Sequence, residues 1–461
     1  MAAESVSSWS TSDWLILSVA PWLTFMVAGF PFAAASIHFQ NNSWPLWHLG
    51  FITLAAFQSR NMINALVASL GPWLAAPMTL AAASLMIPAG IWPQSESVVL
   101  MALFGCWTLH PEMALQGLCY SRFVEDHSKL QEASRTQSLC GTVGYALAPF
   151  ISGVVFDFGG WRLTASCQAA AEISLIMVVW TSPLVRKDWQ RWKETARVDS
   201  QPALRRSGTF LGKLPKKVLV PGLLVALANL GSNWSYMCEW MTFAIYFRDE
   251  HNWTNTSAAG FFQMIGDVAG ASLLVAAAKL RARYGRDESS RMSCRMFDQP
   301  HHLSWLLALW FLLNLGLTMS DLTLAVISQT VMGTVYVFNV QYVNEMNMSL
   351  AQSDSATYLS LQFLSQVAFG IGCSAGGYAS LAMYESLGRL VPFYAASAIS
   401  LCCMLIYAAY FLLRGFSLPV EGQGIGVQPG TKDQEPEESP KMSSACGQPA
   451  CTEQATSQPQ V

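Results

Sequence analysis

The chain is dominated by apolar runs of eighteen or more residues, longer than the amphipathic elements of a water-soluble core. A helical run of that length crosses a hydrocarbon layer about 30 Å thick. In lipid every backbone amide must be satisfied within the protein, so runs this long are expected to be helical. A membrane barrel would show segments of about ten alternating residues, and none are visible. Composition agrees. Of the 461 residues 52% are hydrophobic and 12% charged, against about 25% charged in soluble domains. The expected class is an all-α membrane protein.

Counting the runs predicts twelve transmembrane helices, at 14–37, 47–70, 74–92, 98–120, 139–156, 163–183, 218–247, 257–280, 303–320, 322–342, 357–383 and 390–413. The weakest boundaries are the Gly71-Pro72-Trp73 turn and the single Asp321. Lysine and arginine favour the cytoplasmic side. An inside N-terminus puts Arg122, Lys129 and Arg135 on that side, with ten basic residues between Arg186 and Lys217 and six between Lys279 and Arg295. The other face holds Arg162, Arg248 and Arg389. Both termini are then cytoplasmic. Residues 1–13 contain Glu4 and Asp13 and lack a cationic leader, so the first helix is expected to stay and act as its own insertion signal. The expected organisation is a six-helix half at 14–183, a basic linker at 184–217, a second six-helix half at 218–413 and a polar tail at 414–461, expected to be disordered.

A net charge of −3 points to no nucleic-acid partner, and the eleven cysteines lie mostly inside apolar runs, where cysteine acts as a small hydrophobe. No His/Cys cluster has metal spacing. No metal or cofactor is expected, and the partners expected are the lipid bilayer and a small molecule, with the chain acting as a monomer.

The fifth span reads Gly144-Tyr-Ala-Leu-Ala148-Pro149-Phe-Ile-Ser152-Gly153, followed by Gly160-Trp161-Arg162. The eleventh carries Gly370-Ile-Gly372-Cys-Ser-Ala-Gly376-Gly377, which aligns with the fifth at an offset of 224 residues. Weak self-similarity between halves is a mark of duplicated transporter folds. Helix 8 adds Gly266-Asp267-Val-Ala-Gly270, a small-xxx-small face for close helix packing. After it comes Arg283-Tyr-Gly285-Arg286. The chain resembles the major facilitator superfamily in its fifth-helix motif and in the R-x-G-R part of its loop signature. Two glycines of the helix motif are here Ala148 and Ser152, the aspartate of the loop signature is missing, and after helix 2 only Gly71 of that signature survives. The resemblance implies two pseudo-repeated bundles, with helices 1, 4, 7 and 10 lining a central cavity.

An ionisable group near the bilayer centre costs about 2.5–3.5 kcal/mol on insertion scales and so marks a functional candidate. Arg60, His110, Glu112, Glu172, Glu239 and Asp267 qualify. Placement favours Glu112 and Glu239, and Asp267 beside Gly266 is a candidate proton-titrating gate. These three carboxyls are the expected coupling or gating groups, each with a structural alternative as a buried carboxyl bonded to a neighbouring helix. Arg60 would hold an anionic substrate or neutralise Glu112 or Asp267. Glu172 reads as structural. Asn229, Asn233, Tyr236 and Trp240 follow 4-3-4 spacing on one helical face, either to bind solute or to bond a neighbouring helix. Gln116, Gln329 and Tyr336 are further candidate contacts.

A secondary transporter, ion-coupled (by protons or another ion) or facilitative, is the leading function. The chain has no P-loop and none of the usual hydrolase motifs, so an enzyme is not expected. The eroded loop signature keeps a non-transporting sensor or scaffold as the alternative. The solute expected is small, polar and neutral or anionic, with an amphipathic cation as its competitor.

The topology is tested by glycosylation mapping. Asn41, Asn252 and Asn255 should accept glycan, while Asn233 and Asn347 should not. Glycan on Asn347 would overturn the arrangement.

Overall fold

A computed structural model describes residues 15–70, 72–112, 114–115, 127–183, 185–187, 189–190, 193, 216–284, 301–351 and 355–414. Every regular element among them is helical. We label α1 (Leu15–Asn41), α2 (Leu46–Leu70), α3 (Ala75–Ile91), α4 (Glu96–Thr108), α5 (127–159), α6 (161–181), α7 (Lys216–His251), α8 (Thr256–Tyr284), α9 (His301–Leu317), α10 (Leu322–Ala351), α11 (Ser355–Ser386) and α12 (Val391–Arg414). Six stretches are long and apolar enough to cross a membrane, and three shorter apolar helices accompany them. The protein is an integral, multi-pass membrane protein.

Local chemistry sets the boundaries. Helix α1 begins with a π turn over Leu15–Val19 and passes Pro31 at the first position of its last stretch, where a missing N–H costs little. The 72–74 turn is 3-10. Asp321 starts α10 by accepting the Leu324 N–H at 2.9 Å, the usual role of an aspartate N-cap. The merged 127–181 helix breaks at Gly160, whose φ of 62° is left-handed, a conformation glycine adopts without steric cost.

Two expected spans need correction. The 98–120 span is interrupted, because α4 ends at Thr108 and helical residues resume at Glu112. Pro111 has no N–H to continue the ladder. The fifth span begins at His127 and not near residue 139, since polar residues can extend a helix beyond the lipid. Most of the expected linker, with the N-terminal segment and the tail beyond residue 414, lies outside the described residues. Within the linker Trp189 meets Trp73 with ring centroids 4.5 Å apart, and Lys193 lies over Trp189.

Close backbone approach joins α1–α6 to α7–α12. A β-carbon at Gly153 on α5 would stand 2.6 Å from Ser257 Cα on α8, and one at Gly260 would run into the Pro149 backbone. On the other side, a β-carbon at Gly377 on α11 would lie 2.7 Å from Thr53 Cγ2 on α2. The same helices also lean inward. Gly144 packs on the Trp22 carbonyl and Ala148 on Gly29, both in α1, while Gly372 and Gly376 pack on the Leu230 and Trp234 carbonyls of α7. So α5 touches α1 and α8, and α11 touches α7 and α2, as the 224-residue offset anticipates. Gly266 and Gly270 seat α8 on Thr330 and Thr334 of α10.

Replacing Gly153 with leucine should therefore overpack the α5–α8 seam, at a cost of about 1–3 kcal/mol. The melting temperature of purified protein should fall, and Gly377→Leu should act in the same direction. Val154→Leu, at a lipid-facing neighbour that is 45% exposed, should melt with the parent. Equal melting of all three would remove the seam from the account.

Candidate functional site

Tyr236 and Trp240 are one turn apart on α7 and project together. Tyr236 stacks on Tyr336 of α10, with centroids 3.6 Å apart and planes 4° from parallel. Trp240 stacks on Tyr145 of α5 at 4.4 Å. Tyr145 lies 6.1 Å from Tyr236 and 6.2 Å from Tyr336. Phe32 of α1 meets the edge of Trp240 and stacks on Trp107 of α4. Ring contacts thus run unbroken from α4 to α10. Each such pair contributes about 0.5–1.5 kcal/mol beyond its buried area.

Acids lie beside these rings. Glu239 is 0% exposed and Asp267 1% exposed. Neither carboxyl closes a hydrogen bond of normal geometry. The Gln329 amide lies beside Glu239, and its own oxygen is also unpartnered. Asp267 is held against Gly333 of α10, where a β-carbon would come 2.7 Å from Oδ1. One turn before it, Gln263 donates to the Tyr236 hydroxyl at 2.9 Å. Asp267 lies within electrostatic reach of Glu239, Tyr145, Tyr236 and Tyr336.

A satisfied pair lies between α2 and the segment after α4. Arg60 of α2 forms a buried ion pair with Glu112, just past the break in α4, and His110 Nε2 is 4.0 Å from the same oxygen. The Arg60 guanidinium lies 5.8 Å from the Phe57 ring and 5.5 Å from the Phe369 ring on α11. Of the two roles open to Arg60, the structure displays the pairing with Glu112.

The expected α7 face is divided. Asn229 donates to the Ser365 carbonyl of α11 at 3.0 Å and accepts from Asn339 at 3.4 Å. Asn233 donates to Asn229 and lies against Gly372. These two asparagines join α7 to α10 and α11, while Tyr236 and Trp240 enter the ring cluster. Glu172 lies apart, on α6, where Gln168 reaches Glu172, Cys106 and the Val27 carbonyl. Arg283 falls in the last turn of α8; Gln116, Gly285 and Arg286 lie outside the described residues. Sequence reading passed over Tyr145 and Gln263. Tyr145 follows Gly144 inside a packing motif, and the signal for Gln263 is its position one turn before Asp267.

Among the described residues, polar contacts between α1–α6 and α7–α12 gather at the end that carries the 42–45 and 252–255 connections. Gln40 donates to Asp249, and Arg248 donates to Asn41. The Trp47 N–H donates to Glu385. Asp157 of α5 accepts the first N–H groups of α8, from Thr256 and Ser257, both at 2.9 Å. Nearer mid-depth, Gln58 donates to Ser374 at 2.7 Å.

No family model and no curated protein matches this sequence. Solved structures do. The nucleoside transporter NupG matches at a TM-score of 0.62 and 15% identity, over 87% of this chain and 99% of that one. A bacterial homolog to the human lysosomal transporter Spinster, in an inward-facing and occupied conformation, matches at 0.61 and 12%, over 88% and 98%. The peptide transporter POT matches at 0.58 and 13%, over 87% and 94%. Likeness at such identities is likeness of fold, and it spans nearly the whole of each relative. The chain therefore has the fold of the major facilitator superfamily.

Proposed function

We propose that this protein is a secondary transporter, facilitative or ion-coupled, that moves a small organic solute across a membrane by alternating access. In this reading it has twelve spans, six in 14–183 and six in 218–413, joined by the 184–217 linker, with both termini cytoplasmic. The 42–45 end, held together by its polar contacts, then faces outward. Solute contacts are assigned to Tyr236, Trp240, Tyr336, Arg60, Asn229, Asn233 and Gln329, and to Gln116, which lies outside the described residues. Glu112, Glu239 and Asp267 are the coupling candidates.

The observation that carries the reading is the meeting of aromatic rings and unpartnered carboxyls where α5, α7, α8 and α10 converge, in a fold shared with solved transporters. A scaffold has no evident need for buried carboxyls without partners, since burying a charge without a partner is costly. The degenerate loop signature is the one feature that favours a sensor. Flux into proteoliposomes separates the two, because a sensor binds solute without moving it.

Once a transported solute is in hand, Trp240→Ala and Asn233→Ala should weaken its apparent affinity with membrane protein levels unchanged. Loss of a buried contact is worth about 1–3 kcal/mol, roughly five- to a hundredfold. Met241→Ala, in the core of the same helix, should lower the melting temperature and leave affinity near the parent value. If Met241→Ala and Trp240→Ala lower affinity equally, α7 is structural here.

A further inference from the structure

The cluster around Asp267 is unbalanced in its hydrogen-bond chemistry. Five buried oxygens lack a partner, namely both of Asp267, both of Glu239 and Oε1 of Gln329. Nothing basic among the described residues answers them. Arg60 is the one buried Lys or Arg among the described residues, and it already serves Glu112. Helices α1 and α9 contain no Asp, Glu, Lys or Arg. In α10, α11 and α12 such residues sit at the helix ends, at Glu345, Glu385 and Arg414.

Among the described residues, the titratable groups within electrostatic reach of the two carboxyls are Tyr145 on α5, Tyr236 and the Cys238 thiol beside Glu239 on α7, Tyr336 on α10, and each other. His38 of α1 is held elsewhere, against the Pro93 carbonyl. The site therefore offers hydrogen-bond acceptors and ring faces. A positive group with an apolar body satisfies both, because ring faces attract cations and desolvation strengthens that attraction. An anionic solute would meet two acids and a guanidinium that is already neutralised.

Resting on the transporter reading above, we propose that the solute is an organic cation bearing an aromatic or bulky apolar group. It is bound by Asp267 and Glu239 beside the Tyr145–Trp240 and Tyr236–Tyr336 pairs, and it exchanges for protons at those carboxyls. Proton and cation satisfy the same oxygens, so each displaces the other. Alternating occupancy then couples the two fluxes in opposite directions. The amide side chain of Gln329 orients the cation but cannot take up its proton.

The test uses full-length protein and phenyltrimethylammonium, with tert-butylbenzene as its neutral isostere, benzenesulfonate as the anion and sodium chloride as the inorganic cation. Phenyltrimethylammonium should raise the melting temperature, bind more weakly as the medium is acidified, and accumulate in acid-loaded proteoliposomes. Asp267→Asn and Glu239→Gln preserve size and hydrogen bonding without the charge. Each should weaken binding at least about tenfold. One folded variant suffices, and the acidification response of the parent stands without either. Equal stabilisation by tert-butylbenzene, stabilisation by sodium alone, or unchanged cation binding in a folded carboxamide variant would overturn the proposal. Flux of benzenesulfonate or a neutral solute with no response to the cation would overturn it too, while leaving the transporter reading intact. Absence of flux for every solute class, despite binding, would remove that reading instead.

Discussion

Helices in lipid gain nothing from hiding apolar faces from one another, because the surrounding tails are equally apolar. What holds them is close packing, and closeness requires small residues at the contact. This constraint fixes the architecture here. Gly153 against Ser257 and Gly260 against Pro149 join α5 to α8, while Gly377 against Thr53 joins α2 to α11. Gly144 and Ala148 set α5 on α1, so Tyr145, between them in sequence, reaches Trp240. Gly266 likewise places Asp267 on α10. The small-residue contacts thus place the residues of the candidate site, although they form no part of it.

Within that frame the buried acids differ in their partners. Arg60 and Glu112 cancel, and rings of Phe57 and Phe369 flank the guanidinium. Glu239 and Asp267 have no basic partner among the described residues. Holding one unpaired charge away from water costs several kcal/mol, a large fraction of ordinary stability. A proton or a bound cation removes that cost, and these two species are the ones the proposed exchange alternates. Glu172 is buried as deeply, yet Gln168 attends it, so the same argument has less force there.

How much of this was legible in the sequence depends on which physical variable each feature follows. Hydrophobic length marks helices, and most observed ends lie within a few residues of the expected ones. The break in α4 was missed because hydropathy ignores the hydrogen-bond ladder that Pro111 interrupts. The 224-residue offset is visible in the sequence because small residues at 148/372 and 153/377 sit where neighbouring helices come close. Periodicity placed Asn229, Asn233, Tyr236 and Trp240 on one face, but a period cannot say which helices lie opposite. Near Asn229 the neighbours are α10 and α11, and near Trp240 they are α1 and α5. Tyr145 was hidden for a similar reason, since a packing motif draws attention to its glycines.

The contacts at the 42–45 end bear on how such a molecule could change state. Opening that end would give up the Gln40–Asp249, Arg248–Asn41 and Trp47–Glu385 bonds and the cap that Asp157 places on α8. Each is worth about 0.5–1.5 kcal/mol net, and less where solvent reaches it, as it does at Arg248–Asn41. The total is a few kcal/mol, comparable to the roughly 5.5 kcal/mol that carries a two-state equilibrium from 1:99 to 99:1. A bound solute can supply that much through differential affinity. The seams at Gly153 and Gly377 cannot part as cheaply, because their contacts are backbone against backbone or methyl and are shielded from water. In the transporter reading proposed above, the polar contacts at that end would yield first, and the small-residue seams would be the surfaces on which the helix groups rock.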